Sequence, residues 1–461
     1  MEWNKRQISL IVVVAVTSFM GTFLISSVNI ALPAIGADFN LDAVSLSWIV
    51  TSFLLSTAML MLPVGRWGDR SGIRRIFKAG IVIFTLSSIM CGLAHSGVWL
   101  IVYRFFQGIG AAFTNTTGSA LLVSSFPLRY RGRVLGMSVS AVYLGLAFGP
   151  FVGGMLTQYL GWRSIFLLAG ILNIVTTLIA FLFLGKETPG LLAIRKIGLQ
   201  GTFFYMAGLV AMVVGSSRIP SPAGWMLMGC GLLLLVGFWF LEQRSPMPVI
   251  DTTLFTRNRL FAFSNLAALI NYSATFAIVF LLSLYLQKVR GLNPRDAGSI
   301  LIAQPVIMAV LSPVTGRLSD RIQPRYLTSL GMGLCTLGLG SFALLSEITP
   351  IGLIIILLAG VGMGFALFSS PNMNTIMSSV DRSQYGLASG TASTMRVLGQ
   401  IASMTIAALF FSAIFGKMTI MEVPAPLFMK AMKWGFAVFA LISATGIYFS
   451  WNRGKVSRAH E

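Results

Sequence analysis

Charge is scarce in this sequence. Of 461 residues, 10% are Asp, Glu, Lys or Arg, where a soluble domain carries about a quarter. A chain so poor in charge has too little to cover a water-facing surface, which excludes an ordinary soluble fold. Acids are scarcer still, 13 against 33 lysines and arginines. All of them fall in loops or at the ends of apolar runs, so no carboxylate pair is available inside a span for acid–base work. The three cysteines, Cys91, Cys230 and Cys335, are far apart and each lies in an apolar run. With no CxxC and no Cys/His cluster, neither a disulfide framework nor a zinc site is supported. His95 and His460 are isolated. There is no HExxH, no nucleophile motif and no nucleotide-binding loop, because no strand precedes the glycine-rich stretches GIGAAF and GMGFALF. An enzyme and an ATP-driven pump are therefore excluded, and no cofactor and no metal are expected. No loop is long enough for a soluble output domain, which leaves a transport-inactive sensor as a remote alternative.

Long apolar runs are what the sequence has in abundance. It is 56% hydrophobic, and a membrane span needs roughly 20 mainly apolar residues. Candidate spans lie at about 8–33, 45–66, 76–95, 98–122, 133–158, 162–184, 198–216, 225–242, 260–287, 296–316, 326–345, 349–371, 385–413 and 432–451, fourteen in all. Lys5 and Arg6 before the first run resemble the start of a signal peptide, but the run continues to about Pro33, too long for an h-region. The expected fold is an all-α polytopic membrane protein. The net charge of +20 does not form a single basic face, which argues against nucleic acid. The cations punctuate the spans instead. They concentrate in the loops on the side of the two termini, which the positive-inside rule places in the cytoplasm. Membrane lipids are the expected surroundings.

The sequence repeats itself. GRWGDRSG at 65–72 has a degenerate copy, GRLSDRIQ, at 316–323, an offset of 251. QGIGAAF at 107–113 matches AGVGMGF at 359–365 at offset 252, and Gly132 and Gly136 match Gly386 and Gly390 at offset 254. The second and tenth spans thus correspond, as do the fourth and twelfth. Eight spans separate equivalents, so the layout is six, two and six. The expected units are an N-terminal six-helix bundle over 1–190, two inserted helices over 191–258, and a C-terminal six-helix bundle over 259–461. Paired halves with a site near the midplane suit alternating access.

GRWGDRSGIRR at 65–75, LIVYRFFQGIGAA at 100–112 and GLAFGPFVGG at 145–154 occur in order, flanked by SVNIALP at 27–33 and RVLGQ at 396–400. Together they resemble the major facilitator superfamily, and within it the 14-span drug:proton antiporter family. The resemblance covers nearly the whole chain. It implies the major facilitator fold and a secondary efflux permease for amphipathic drugs or other small molecules, proton-coupled, monomeric, in the plasma or inner membrane. One position departs from the family. Where it commonly carries an aspartate in the first helix, this chain has Leu24. A transporter of the same fold without proton coupling, or one for anionic metabolites or lipids, therefore stays open.

The resemblance gives Gly65, Asp69, Arg70, Gly72, Arg74 and Arg75 the role of a cytoplasmic latch. Physically, a carboxylate there can meet a helix N-terminus or an arginine, and glycines permit a tight turn; an ordinary basic loop is the plain alternative. On the fourth span, Arg104, Gln107, Gly108, Ala111 and Asn115 share one stripe. Arg104 either orders a cavity or bonds to carbonyls of neighbouring helices. In the fifth, Gly145, Gly149, Gly153 and Gly154 make small-xxx-small steps around a bend at Pro150, the antiporter-type pattern or generic packing. Ser389, Ser393, Arg396, Gln400 and Ser403 line one face of the thirteenth span. No acid within a span can pair with Arg396, so an anionic substrate group or neutral partners remain. Thr22, Ser26 and Asn29 of the first span line the cavity or bond between helices. The seventh and eighth spans read as lipid-facing additions, and the basic tail from Arg453 as a contact for lipid headgroups.

Overall fold

The computed structural model describes residues 4–185, 199–245, 252–381, 384–416, 418–420 and 422–454. It is helical, and among the described residues the sole β-bridge joins Asp42 to Thr419. Six long helices come first: α1 (Lys5–Phe39), α2 (Ala43–Ser71), α3 (Ile73–Gly92), α4 (Gly97–Ser125), α5 (Leu128–Leu160) and α6 (Arg163–Phe183). The inserted pair is α7 (Leu199–Ser216) and α8 (Pro222–Arg244), followed by a short α9 (Thr252–Arg257). The ninth span is divided into α10 (Arg259–Thr275), α11 (Ala277–Leu284) and a π-helical turn over Tyr285–Val289. The tenth is α12 (Pro294–Leu301) and α13 (Ala303–Arg321), and α14 (Pro324–Phe342), α15 (Ile351–Ser378), α16 (Tyr385–Phe415) and α17 (Ala425–Asn452) complete the chain.

Eleven of these spans are long and apolar enough to cross a membrane. The other three rods, α4, α7 and α14, fall outside that group, and with them the helices follow the fourteen runs expected. Several helices extend past the apolar runs that announced them, because local caps hold their ends. Asn4 and Gln7 close a capping box at the start of α1. Asp42 accepts from the Ser45 N–H at 2.7 Å to open α2. Pro222, Pro294 and Pro324 open α8, α12 and α14, where a missing N–H costs nothing. The break between α10 and α11 frees the N–H of Ala277, which donates to Ser403 Oγ of α16 at 3.0 Å. The expected boundary at 190/191 lies outside the described residues, and the one at 258/259 falls between α9 and α10.

In the first half α1 lies along α5, α2 along α4, and α3 against α4 and α6. In the second, α10 meets α16 and α17, α14 meets α15 and α17, and α13 meets α15. The halves join along a seam made by α2 with α16, α5 with α12 and α13, and α1 with α11. Bonds between them run from mid-span to the face away from the termini. Tyr143 and Ser369 hydroxyls bond at 3.1 Å, Gln287 Nε2 donates to the Ile30 carbonyl at 2.9 Å, Arg295 donates to Tyr159 at 3.0 Å, and the Ile420 N–H donates to the Leu41 carbonyl at 3.1 Å. The inserted pair is unequal. Helix α8 is largely exposed, whereas α7 covers the α2–α16 seam, with Tyr205 donating to the Ala58 carbonyl at 2.9 Å and the Ser412 hydroxyl of α16 donating to the Ile219 carbonyl beyond α7. The lipid-facing reading suits α8 and not α7.

Candidate functional site

The segment 65–75 is the joint between α2 and α3. Gly72 has φ +94°, a conformation that a side chain resists, and its N–H donates to the Gly68 carbonyl at 3.0 Å. One glycine therefore turns the chain from one helix directly into the next. Its counterpart in the repeat is Gln323, and there Pro324 starts the new helix instead. Gly65 has only Thr116 Cγ2 near where a Cβ would stand, at 3.7 Å, so it is not required by close packing in this state. Arg75 is exposed and Arg74 half-buried. The side chains of Asp69 and Arg70 lie outside the described residues.

Arg104 is fully buried. Its Nε donates to the Ile49 carbonyl of α2 at 3.0 Å and its Nη1 to Gln107. Gln107 in turn donates to Ser88 of α3 at 2.7 Å. The guanidinium carbon stands 4.4 Å from the Phe53 ring centre and 5.9 Å from that of Phe166, a cation–π contribution, while its buried Nη2 has no hydrogen-bond partner. Neutral groups of α2, α3, α4 and α6 thus hold this cation inside the first half. Of the two readings of Arg104, bonding to neighbouring helices is the one seen. Gln107 belongs to the same network. Asn115, three turns along the stripe, is exposed.

The glycines of α5 divide between two neighbours. A Cβ at Gly145 would stand 2.5 Å from the Phe19 carbonyl oxygen, at Gly149 2.5 Å from Ser26 Cβ, and at Gly153 2.6 Å from Ser27 Cβ. These three let α1 and α5 touch backbone to backbone. Thr22 donates to the Val142 carbonyl at 3.0 Å, Ser26 to Leu146 at 3.4 Å and Ser27 to Gly149 at 2.9 Å. Thr22 and Ser26 therefore bond between helices. Asn29 is buried, and its side-chain oxygen has no hydrogen-bond partner. Gly154 turns the other way, 2.5 Å from the Pro294 carbonyl oxygen of α12, while Gly298 of α12 meets the Pro150 carbonyl. Pro150 leaves α5 continuous.

Contacts also set the register of the repeat. Gly108 lies against the Phe53 backbone, and Gly362 against that of Gln304. Gly110 meets the Phe84 nitrogen, and Gly364 the Cys335 nitrogen. Gly108 therefore matches Gly362 and Gly110 matches Gly364, an offset of 254, while their partners differ by 251. The offset of 252 read from the sequence for this element is corrected by two residues. In the same way Gly145 against Phe19 matches Gly399 against Leu269. By this register Thr22 corresponds to Tyr272, Val142 to Arg396 and Asn115 to Ser369.

The second half's members, Tyr272, Arg396 and Ser369, come together at the seam. Tyr143 of α5 bonds Ser369 of α15, and Tyr272 of α10 interacts with both Ser369 and Arg396 of α16. The Tyr272 ring packs edge-on to Phe365, centres 5.3 Å apart. Arg396 and Gln400 are half-buried. Sequence reasoning found Arg396 but neither tyrosine, since an isolated tyrosine in an apolar run carries no signal until the opposite helix is known.

Two further groups were missed. Glu242, near the end of α8, is buried against Gly201 and is the one buried carboxylate among the described residues. Arg453 is buried as well, which corrects its assignment to a lipid-surface tail. It donates to Asn372 at 2.8 Å, Ser264 at 3.3 Å, the Ser450 carbonyl at 2.8 Å and the Thr328 hydroxyl, tying α17 to α10, α14 and α15. Burial pushes its guanidinium pKa down from the ordinary value. A lateral recess of about 510 Å³, lined by Trp239, Phe255, Arg259, Phe263 and Met395 among others, opens between α8, α9, α10 and α16. Among the described residues no group of His, Cys, Asp and Glu could hold a metal ion.

Comparison with known proteins agrees with this architecture. The family model of the Major Facilitator Superfamily matches residues 13–404. The chain is 29% identical to the riboflavin transporter RibZ of Clostridioides difficile (strain 630), over 90% of this chain and 89% of that one. It is 31% identical to the multidrug resistance protein Stp of Mycobacterium tuberculosis, over 86% of this chain and 74% of that one. Among solved structures it is similar to a bacterial homologue of the human lysosomal transporter Spinster, in an inward-facing and unoccupied conformation. The TM-score is 0.70 at 15% identity, with 98% of each chain covered.

Proposed function

The chain belongs to the Major Facilitator Superfamily, and from that premise we propose that it exports amphipathic small molecules across the cell membrane by alternating access. It is an integral membrane transporter and not an enzyme. The observation that carries the export cycle is the seam. Two bundles are bonded together from mid-span to the face away from the termini, the arrangement of a transporter closed on one side. With both termini in the cytoplasm, the reading that the cation distribution supports, this would be the inward-facing state. Efflux is supported by the similarity to a multidrug resistance protein and by the glycine packing of α5. Segment 65–75, with Asp69, Arg70, Arg74 and Arg75, would act as the latch that closes the cytoplasmic side in the opposite state. The protein would work as a monomer.

Proton coupling belongs to the same proposal. With Leu24 where a carboxylate would be expected, Glu242 is the candidate carrier. The test is proton flux in proteoliposomes of the purified protein, challenged with amphiphiles first selected because they raise its melting temperature. Proton movement triggered by such a ligand, and lost in Glu242→Gln, is the expected result. Substrate movement without proton movement would overturn coupling and leave export standing.

A further inference from the structure

The seam cluster is asymmetric in charge. The register derived from the contacts makes Arg396 the counterpart of Val142, and Tyr272 the counterpart of Thr22. The second half therefore brings a guanidinium and a phenol to positions where the first half has an aliphatic residue and a hydroxyl. The first half contributes Tyr143, which reaches across to bond Ser369. Arg396 lies near mid-span on α16 and stays half-exposed. Its neighbour on α10 is the Tyr272 phenol. The ion pair of Arg163 with Asp38, at 2.8 Å, stands at the far face. Arg104 and Arg453, in contrast, are sunk among several acceptors.

Three features define what this cluster could hold. A guanidinium offers a fork of donors that matches a carboxylate or a related oxyanion. Two phenols and a serine hydroxyl add donors around it. Phe365 beside Tyr272 gives an aromatic wall. Among the described residues no carboxylate pairs with Arg396, and a charge near mid-membrane is costly without a partner.

We propose that Arg396, Tyr272, Tyr143 and Ser369 form the recognition site for the anionic group of an amphipathic substrate with an aromatic or apolar body. This rests on the transport reading and narrows its substrate class to anions. The Tyr143–Ser369 bond closes the site between the halves when it is empty, and an oxyanion would take over those hydroxyls.

The test is a binding comparison on one scaffold. Purified protein in phosphatidylcholine nanodiscs is titrated with 2-naphthoate, 2-naphthamide and 2-naphthylmethylammonium, following tyrosine and tryptophan fluorescence. Naphthoate should bind at least about tenfold tighter than the ammonium probe, as a charge-assisted bond to a guanidinium implies. Arg396→Gln should abolish that preference while leaving the melting temperature unchanged. Arg396→Lys should restore part of it. Equal binding of all three probes, or a preference that survives Arg396→Gln, would overturn the site. Phosphatidylglycerol added to the discs separates the sources of the anion. Displacement of naphthoate identifies a lipid headgroup, and no displacement identifies a soluble anion. Failure of the transport reading looks different, since the anion preference would then persist in protein that moves no solute in proteoliposomes.

Discussion

Arg104 and Arg396 read alike in the sequence, each a cation on a polar stripe near the middle of a span, and the fold treats them differently. Arg104 is enclosed within the first half, with the Ile49 carbonyl, Gln107 and two aromatic rings around it. Arg396 stands on the seam between halves, half-exposed beside Tyr272. The glycines of α5 divide in the same way. Gly145, Gly149 and Gly153 hold α1 inside one half, and Gly154 holds α12 across the seam. Interior groups make a bundle that moves as a unit, because breaking them exposes unpaired polar atoms or forces backbones apart. Groups on the seam are met and released each time the halves rock.

Substitutions can break or sharpen that contrast. Arg104→Ala should have the largest effect on stability. It strands Gln107 and empties a buried volume, costing about 3 kcal/mol, read as a drop in the thermal midpoint and in the yield of folded protein. Gly149→Leu should follow, at about 2 kcal/mol from overpacking against Ser26, and should abolish transport. Retained transport there would show that close packing of α1 on α5 is unnecessary. Gly154→Leu should leave each half folded but prevent closure of the far face. A cysteine placed at Pro294 should then label from outside in that variant more readily than in the wild-type background, and unchanged labelling would place the joint elsewhere. Asp69→Asn should lower transport about tenfold at normal abundance, the loss expected of a charge-assisted bond. Wild-type transport in it would remove the latch. Arg396→Gln should shift stability least, by less than about 0.5 kcal/mol, and a large loss of stability there would collapse the contrast with Arg104.

Much of the fold was legible. The apolar runs are long, and helices satisfy their own backbone in lipid, so the order of the helices follows from hydropathy, while three of the fourteen, α4, α7 and α14, fall short of the length and apolarity of the other eleven. The repeat was legible as well, but its register in α15 was not. Gly360, Gly362 and Gly364 are evenly spaced, so two alignments with Gly108 and Gly110 read nearly equally well. Only contacts with Gln304 and Cys335 choose between them. The site was half legible. Arg396 announces itself by its cost in an apolar run, whereas Tyr143 and Tyr272 become partners only when α5, α10, α15 and α16 are brought together. Arg453 was misread because its apolar run ends two residues earlier, at Trp451, and nothing local predicts that Ser264, Thr328 and Asn372 gather around it.

By itself the sequence determined that the chain lives in a membrane, that its fold is helical and that its halves are related. These properties depend on composition and period, which each segment carries alone. Tertiary structure decided which arginine is sunk and which is presented, which glycines face α1 and which face α12, and where the two halves touch. Those outcomes depend on pairings between residues a hundred or more positions apart, and a pairing has no signature in either partner until the helices are packed.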